Sequence, residues 1–215
     1  SNIVGKYGRF VQQAMQKLSG VTPEYICTTH GPVWHEKIAE VMGIYDRLSR
    51  YEGEDGVTII YGSMYGNTEK AALALAESLK NHNIPFTLHN LNEESYSFAL
   101  RDVFKYDTVI LGSPTYNNGI LPSVRQLMEA ICDRLVKNRR FFAFGSFTWA
   151  AASVRLLNEM ATTTHTLVGE RNNHRPTLGA KALIVKLELR IRHELRLLRT
   201  LLHALVELGL DRSNA

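Results

Sequence analysis

The sequence has only two cysteines among its 215 residues, and Cys27 and Cys132 lack the CxxC spacing of redox and zinc motifs. It has no apolar run long enough to span a membrane. Its N-terminus also lacks the charged, apolar and small-residue layout of a signal peptide. We therefore expect two reduced thiols, no membrane span and a cytoplasmic location.

The excess of positive charge is confined to the C-terminal part of the chain. The net charge is +4, of which residues 171–215 carry +5 and residues 1–170 carry −1. A folded nucleic-acid reader usually spreads its basic surface over the domain itself. The charge distribution therefore predicts no nucleic-acid partner.

Residues 1–52 do not have the pattern of a complete domain. Apolar spacing predicts helices at Tyr7–Leu18 and Ile38–Ser49, with a short strand-like piece at Tyr25–Cys27 between them. These elements are too small to bury a core of their own. We interpret them as the closing segment of another domain, and the polar, glycine-bearing stretch before the next strand predicts that a new domain covers 53–215.

From residue 57 onward, predicted strands alternate with predicted helices. The strands are Val57–Tyr61, Phe86–Leu91, Thr108–Gly112, Phe141–Phe144 and, more weakly, His165–Val168. The helices are Asn67–His82, Ser95–Phe104, Leu121–Val136 and Trp149–Thr162. The strands are continuous β-branched or aromatic runs that suit burial on both faces. The pattern predicts an α/β fold with a doubly wound, five-stranded parallel sheet and helices on both faces.

The tail from about residue 171 is basic and rich in leucine. Its apolar spacing beyond Pro176 fits one long amphipathic helix, although Ala182–Leu189 also fits a strand. Such a helix suits packing against the sheet, a partner helix or an anionic membrane surface.

The first predicted strand ends in a loop of small polar residues, Ser63-Met64-Tyr65-Gly66-Asn67-Thr68. It offers hydroxyls, an amide and a glycine but no lysine or arginine, which suits a phosphate monoester held by backbone N–H groups at a helix N-terminus. It lacks both the Gly-Lys-Ser/Thr ending of a Walker A loop and the GxGxxG dinucleotide pattern. An ordinary βα turn is the alternative.

Two further loops follow strands that end at the same edge of the predicted sheet. Ser113-Pro114-Thr115-Tyr116-Asn117-Asn118-Gly119 offers an aromatic ring and amides to a planar heterocycle, and its Asn-Gly pair permits positive φ. Gly145-Ser146-Phe147-Thr148-Trp149 places a tryptophan where it could stack on such a ring. Taken singly, the second loop also fits an ordinary turn before a helix. The tryptophan of the third loop could equally pack over the helix that follows it.

Together the three loops resemble the FMN loops of flavodiiron proteins, the A-type flavoproteins in which a metallo-β-lactamase-like diiron domain precedes a flavodoxin domain. The segment Thr29-His30-Gly31-Pro32-Val33-Trp34 resembles the S-H-G-P-I-W segment that ends the lactamase-like domain. The resemblance implies a flavodoxin-like fold for 53–215 and makes residues 1–52 a remnant of the diiron domain. It departs from the family at Thr148, where the family usually has glycine.

The resemblance also implies a cofactor and a set of residues that bind it. The cofactor is FMN, and the implied contacts are Ser63, Met64, Tyr65, Gly66, Asn67, Thr68, Ser113, Pro114, Thr115, Tyr116, Asn117, Asn118, Gly119, Ser146, Phe147, Thr148 and Trp149. His30 would be the last iron ligand in an intact parent, whose other ligand motifs this sequence lacks. We therefore expect no diiron centre in this chain.

The implied function is an FMN electron-transfer module of an oxidoreductase that reduces dioxygen or nitric oxide in the intact parent, without a catalytic side chain in this chain. A rubredoxin-like electron donor and a head-to-tail homodimer follow from the same resemblance. Two alternatives remain. One is a stand-alone, NAD(P)H-dependent quinone or nitro reductase of the same fold, and the other is an interaction domain that has lost its flavin.

Overall fold

The computed structural model describes residues 1–3 and 5–163. The predicted strand His165–Val168 and the tail lie outside these residues. The strands are β1 Glu54–Tyr61, β2 Phe86–Asn90, β3 Tyr106–Gly112, β4 Thr115–Tyr116, β5 Gly119–Ile120 and β6 Arg140–Phe144. The helices are α1 Gly8–Lys17, α2 Ile38–Ser49, α3 Asn67–Asn81, α4 Tyr96–Lys105, α5 Pro122–Asp133 and α6 Ala152–Thr163. A single 3₁₀ turn, Gly5–Tyr7, precedes α1.

The main sheet is parallel, and its strands run in the order β2-β1-β3-β6. The chain moves outward from β1 to β2 and then crosses back to β3, so the direction of winding reverses between β1 and β3. This arrangement confirms the predicted doubly wound α/β fold and puts the topological switch point where β1 and β3 end.

The core lies on both faces of this sheet, because successive residues of a strand point to opposite sides. Ile60 and Leu111 pack on one face with Leu127 of α5. Ile59 and Ile110 pack on the other with residues of α3. Continuous apolar strands therefore form here because both faces of the sheet are buried, and they position the loops at its carboxyl edge.

Most element boundaries lie close to their predicted positions, with differences around the loops. Helix α6 begins at Ala152 and not at Trp149, because the Thr115 hydroxyl accepts from the Ser153 N–H of its first turn at 3.3 Å. Helix α5 ends at Asp133, since Leu135 adopts a left-handed φ of 51°. The β4–β5 hairpin was not predicted.

The N-terminal segment, residues 1–51, contacts the sheet domain through hydrogen bonds and through apolar packing against the edge of its core. The strand-like piece of this segment is reduced to one antiparallel bridge between Ile26 and Trp34. The buried guanidinium of Arg139 donates to the carbonyl of Tyr51 at 2.6 Å, and the Tyr51 hydroxyl donates to the Gly5 carbonyl at 2.8 Å. Among the described residues, no helix is long and apolar enough to cross a membrane.

Candidate functional site

The three polar loops meet at the carboxyl edge of the parallel sheet. The Ser113 N–H donates to Phe144 O at 3.0 Å, and the Thr115 N–H donates to Ser146 O at 2.8 Å, which joins the second loop to the third. The hydroxyls of Thr68 and Ser146 lie 3.0 Å apart and join the first loop to the third. The structure therefore brings all three stretches into one connected surface.

The first loop ends in a helix N-terminus that no side chain caps. Gly66 is the N-cap of α3 with φ +77°, a left-handed value that disfavours residues with a Cβ. Its carbonyl accepts the first helical hydrogen bond, from Lys70 N at 2.9 Å. The N–H groups of the first turn have no intrahelical acceptor, so they remain available to an anion.

Ser63 supplies a polar group that requires a partner. Its Oγ is buried and has no hydrogen-bond partner among the described residues. A buried hydroxyl without a partner costs about 1–3 kcal/mol. A phosphate oxygen would satisfy it, so the residues of this loop fit a phosphate monoester.

Beside the phosphate loop, a tyrosine hydroxyl is hydrogen-bonded to a carboxylate. The buried Tyr61 hydroxyl donates to Glu69 Oε1 at 3.0 Å. Burial and this hydrogen bond to a carboxylate raise the pKa of Tyr61 to about 12. Because the loop contains no lysine or arginine, an anion bound by the loop itself would be held by N–H and O–H dipoles.

The second loop is a tight hairpin. Thr115–Tyr116 pairs with Gly119–Ile120, and Asn117 and Asn118 have φ values of 47° and 55° between them. Two successive positive φ angles are typical of the turn that matches strand twist in two-residue hairpins. This geometry presents Tyr116, which is 46% exposed, at the rim of the site.

Ser113 has a different position from the one that its sequence motif suggested. Its side chain is fully buried, donates to Pro114 O at 2.9 Å and accepts from Leu121 N at 3.0 Å. Both hydrogen-bonding capacities are used inside the protein, so the hydroxyl shapes the loop. Pro114 is also buried.

The third loop passes close to the second and then emerges from the surface. A Cβ added to Gly145 would lie 2.1 Å from Ser113 O, so only glycine allows this approach. Ser146 and Phe147 are half-buried, whereas Thr148 is exposed and Trp149 is 95% exposed. Within the first loop, Tyr65 is similarly exposed at 85%. The first and third loops thus each expose a large aromatic side chain.

Asn92 is a site residue that sequence reasoning missed. It follows β2 and bonds the backbone of Ser63 in the first loop. The pair Asn90 and Asn92, placed directly after a predicted strand, was the available signal, because all parallel strands end at the same edge.

His30 lies in an exposed loop of the N-terminal segment. Within residues 1–3 and 5–163, no group of three or more His, Cys, Asp or Glu side chains is placed to hold a metal ion. The role of His30 as an iron ligand in a larger parent stays a prediction.

Comparison with known proteins gives a consistent result. The sequence profile of the flavodoxin family matches residues 59–174, which is more than half of the chain. The rubredoxin-oxygen oxidoreductase of Megalodesulfovibrio gigas is 33% identical over 166 residues, covering 75% of this chain and 41% of that protein. The anaerobic nitric oxide reductase flavorubredoxin of an Enterobacter species is 28% identical over 162 residues, covering 74% of this chain and 34% of its own.

The fold comparison agrees with the sequence comparison. The solved structure of rubredoxin oxygen:oxidoreductase from Desulfovibrio gigas superposes with a TM-score of 0.82 at 27% identity, covering 99% of this chain and 52% of that one. In the sequence comparison, the chain spans less than half the length of the curated relatives it matches. The matched part of these relatives is flavodoxin-like.

Proposed function

The chain belongs to the flavodoxin family, and we propose that its three loops bind FMN and form the electron-transfer module of a flavodiiron-type oxidoreductase. The observation that carries the proposal is the buried, unpartnered hydroxyl of Ser63 beside the uncapped N-terminus of α3. Both features favour the binding of a phosphate group. The loop itself has no lysine or arginine of the kind that a polyphosphate site uses. The relatives named above support the choice of a flavin as the molecule that carries it.

In this proposal the phosphate is held at Ser63, Thr68 and the N–H groups of the first turn of α3. The ring is placed against the exposed side chains of Tyr116 and Trp149. FMN, when bound, supplies electron transfer. The protein contributes position, N–H donors and exclusion of water, and no side chain of this chain is required as a general acid or base.

The intact protein would combine this module with a second redox centre. Relatives named as rubredoxin-oxygen oxidoreductase and nitric oxide reductase flavorubredoxin support a rubredoxin-type donor and dioxygen or nitric oxide as acceptor. We also propose a cytoplasmic homodimer, a diiron centre in the intact parent with His30 as a ligand, and a domain boundary near residue 52.

Titration of the purified chain with FMN and, separately, with riboflavin tests the phosphate site. We expect one FMN per chain by flavin fluorescence quenching, with riboflavin bound more weakly because it lacks the phosphate. Ser63→Ala should weaken FMN binding about tenfold, the usual effect of losing a hydrogen bond to a charged group, and riboflavin binding far less. Ser19→Ala, at an exposed position in the N-terminal segment, is the matched control.

Other results would favour the alternative functions. Steady NAD(P)H oxidation by the FMN-loaded chain would indicate a stand-alone reductase. A chain that binds neither flavin would instead be an interaction domain, and the proposal would be withdrawn. Reduction of bound FMN by a rubredoxin, without gas reduction by this chain alone, is the result that we expect.

A further inference from the structure

The side chain of Asn92 forms a two-bond clamp on the backbone of Ser63. Asn92 Oδ1 accepts from the Ser63 N–H at 3.0 Å, and Asn92 Nδ2 donates to the Ser63 carbonyl at 2.9 Å. One amide side chain thus satisfies both backbone groups of the residue whose hydroxyl is buried and unpartnered.

The polypeptide around Asn92 is itself fixed. The Leu91 N–H donates to the Tyr61 carbonyl at 2.8 Å and extends the β1–β2 pairing to the residue before Asn92. The Asn92 N–H donates to Asn90 Oδ1 at 3.1 Å, which is a side-chain-to-backbone turn of the type that asparagine favours. The clamp therefore originates from a defined turn and not from a freely moving loop.

The far end of this turn is anchored in the protein interior. Glu94 Oε1 lies 2.7 Å from Nδ1 of His89, and His89 Nε2 lies 2.9 Å from Oδ2 of the buried Asp102. His89 is 6% exposed and Asp102 is 2% exposed. The turn that presents Asn92 is thus held on one side by the sheet and on the other by a buried polar chain.

The clamp determines which donors the loop can offer. With the Ser63 N–H engaged by Asn92, the groups left for a phosphate are the Ser63 hydroxyl and the N–H groups that follow it along the chain. We propose that Asn92 is a positioning residue that selects for the phosphate of the flavin, because it fixes the Ser63 peptide so that the hydroxyl stays in the cradle. This inference rests on the proposed function of the loop as an FMN-phosphate site.

Three variants of this chain test the role of Asn92. Asn92→Ala removes both clamp bonds. Asn92→Asp keeps the acceptor for the Ser63 N–H, but it sets a carboxylate against the Ser63 carbonyl and against the phosphate. Asn81→Ala is the matched control, because Asn81 is exposed at the other end of α3, about 20 Å along the helix.

The affinities for FMN and riboflavin are measured for each variant by fluorescence quenching. We expect FMN affinity to fall about tenfold in Asn92→Ala and further in Asn92→Asp, while riboflavin affinity changes less than about twofold. Asn81→Ala should match the wild type with both ligands. Thermal unfolding of each variant checks that the fold is retained.

Hydrogen exchange at the Ser63 amide provides a second measurement, which needs no flavin. Protection should be lost in Asn92→Ala and retained in Asn92→Asp, so the aspartate variant separates the clamp bond from the effect on phosphate. Equal weakening of FMN and riboflavin, or an Asn92→Ala variant that binds FMN like Asn81→Ala, would overturn the inference. If the wild type fails to bind FMN, both proposals fail, whereas a failure confined to the Asn92 variants removes only this one.

Discussion

Two regions of the protein differ in the burial of their apolar side chains: the sheet domain, residues 54–163, and the N-terminal segment, residues 1–51. In the sheet domain they form two clusters that pack on the two faces of the sheet. In the N-terminal segment only Val41 among the described residues is a buried large apolar side chain. Nine of the sixteen exposed large apolar side chains in the described part of the protein lie in that segment.

The two parts of the chain therefore differ in how much apolar side-chain surface they bury. Burial of apolar area stabilises the sheet domain, at about 25 cal/mol per Å². The N-terminal segment contacts the sheet domain through hydrogen bonds that Arg139 and Arg134 donate to its backbone, and through apolar side chains that pack against the edge of the core. Four pairs of variants test this difference, in decreasing order of the change in stability that we expect.

Replacing the same residue type in the two regions should give the largest contrast. Leu127→Ala removes a fully buried side chain of α5 and should lower the free energy of unfolding by about 3–4 kcal/mol, since it leaves a cavity. Leu18→Ala, at a position 51% exposed, should cost less than about 1 kcal/mol. Urea unfolding followed by circular dichroism measures both, and equal losses would contradict the proposed difference between the regions.

Removing the guanidinium of Arg139, which donates from the sheet domain to the N-terminal segment, should have the second-largest effect on stability. Burial lowers the pKa of Arg139 to about 10, so its guanidinium is still charged at neutral pH. It also donates to the carbonyls of Val103 and Phe104 at the end of α4. Arg139→Met leaves these carbonyls without their donor and should lower the free energy of unfolding by about 2–3 kcal/mol.

The control for that variant is Arg155→Met. Arg155 is exposed and pairs with Glu159 one helical turn away, a contact worth about 0.5 kcal/mol or less. Hydrogen exchange should also speed up at residues 47–52 in Arg139→Met alone. Unchanged exchange there would show that the segment does not depend on the guanidinium.

Adding a methyl group to two glycines should give effects of opposite sign. Gly66→Ala forces a Cβ into a φ of +77° and should cost about 1 kcal/mol. Gly43→Ala, at an exposed position of α2 with no atom near the new Cβ, should stabilise by up to about 1 kcal/mol. Thermal unfolding measures the stability change of both variants. A change of the same sign in the two would contradict the expected role of the left-handed φ at Gly66.

The smallest effect depends on pH. Tyr61→Phe removes one hydrogen bond to Glu69 and should cost about 1 kcal/mol at pH 7. The pKa of Tyr61 rises from 10 to about 12 on folding, so its contribution is complete below pH 10 and is lost as the pH rises toward 12. The stability gap between wild type and variant should therefore close over that range, and Tyr45→Phe, at an exposed position of α2, serves as the control.

Local pattern was sufficient for most of the fold. Alternating strands and helices predicted the doubly wound sheet, because runs such as Val57–Tyr61 are apolar enough for both faces to be buried. It was not sufficient for the start of α6. Trp149 has helix-compatible neighbours, but Thr115 of a distant loop determines where the first turn of α6 forms.

The candidate site was predictable in its parts and not in its connections. Residue types at the end of β1 indicated a phosphate loop, and the structure adds an uncapped helix and a buried hydroxyl to that indication. The sequence motif gave no sign that the hydroxyl of Ser113 is used inside the protein. Such a distinction depends on which neighbours surround a side chain after folding.

The three loops could be located from local sequence, because their hydroxyls, glycines and amides directly follow apolar strands. Which of these groups remain available to a ligand depends on contacts between residues far apart in the chain. Asn92 reaches Ser63 across 29 residues, and Thr68 reaches Ser146 across 78. Both contacts exist only because the strand order β2-β1-β3-β6 brings the ends of β1, β2 and β6 to one edge of the sheet, and no local pattern encodes that order.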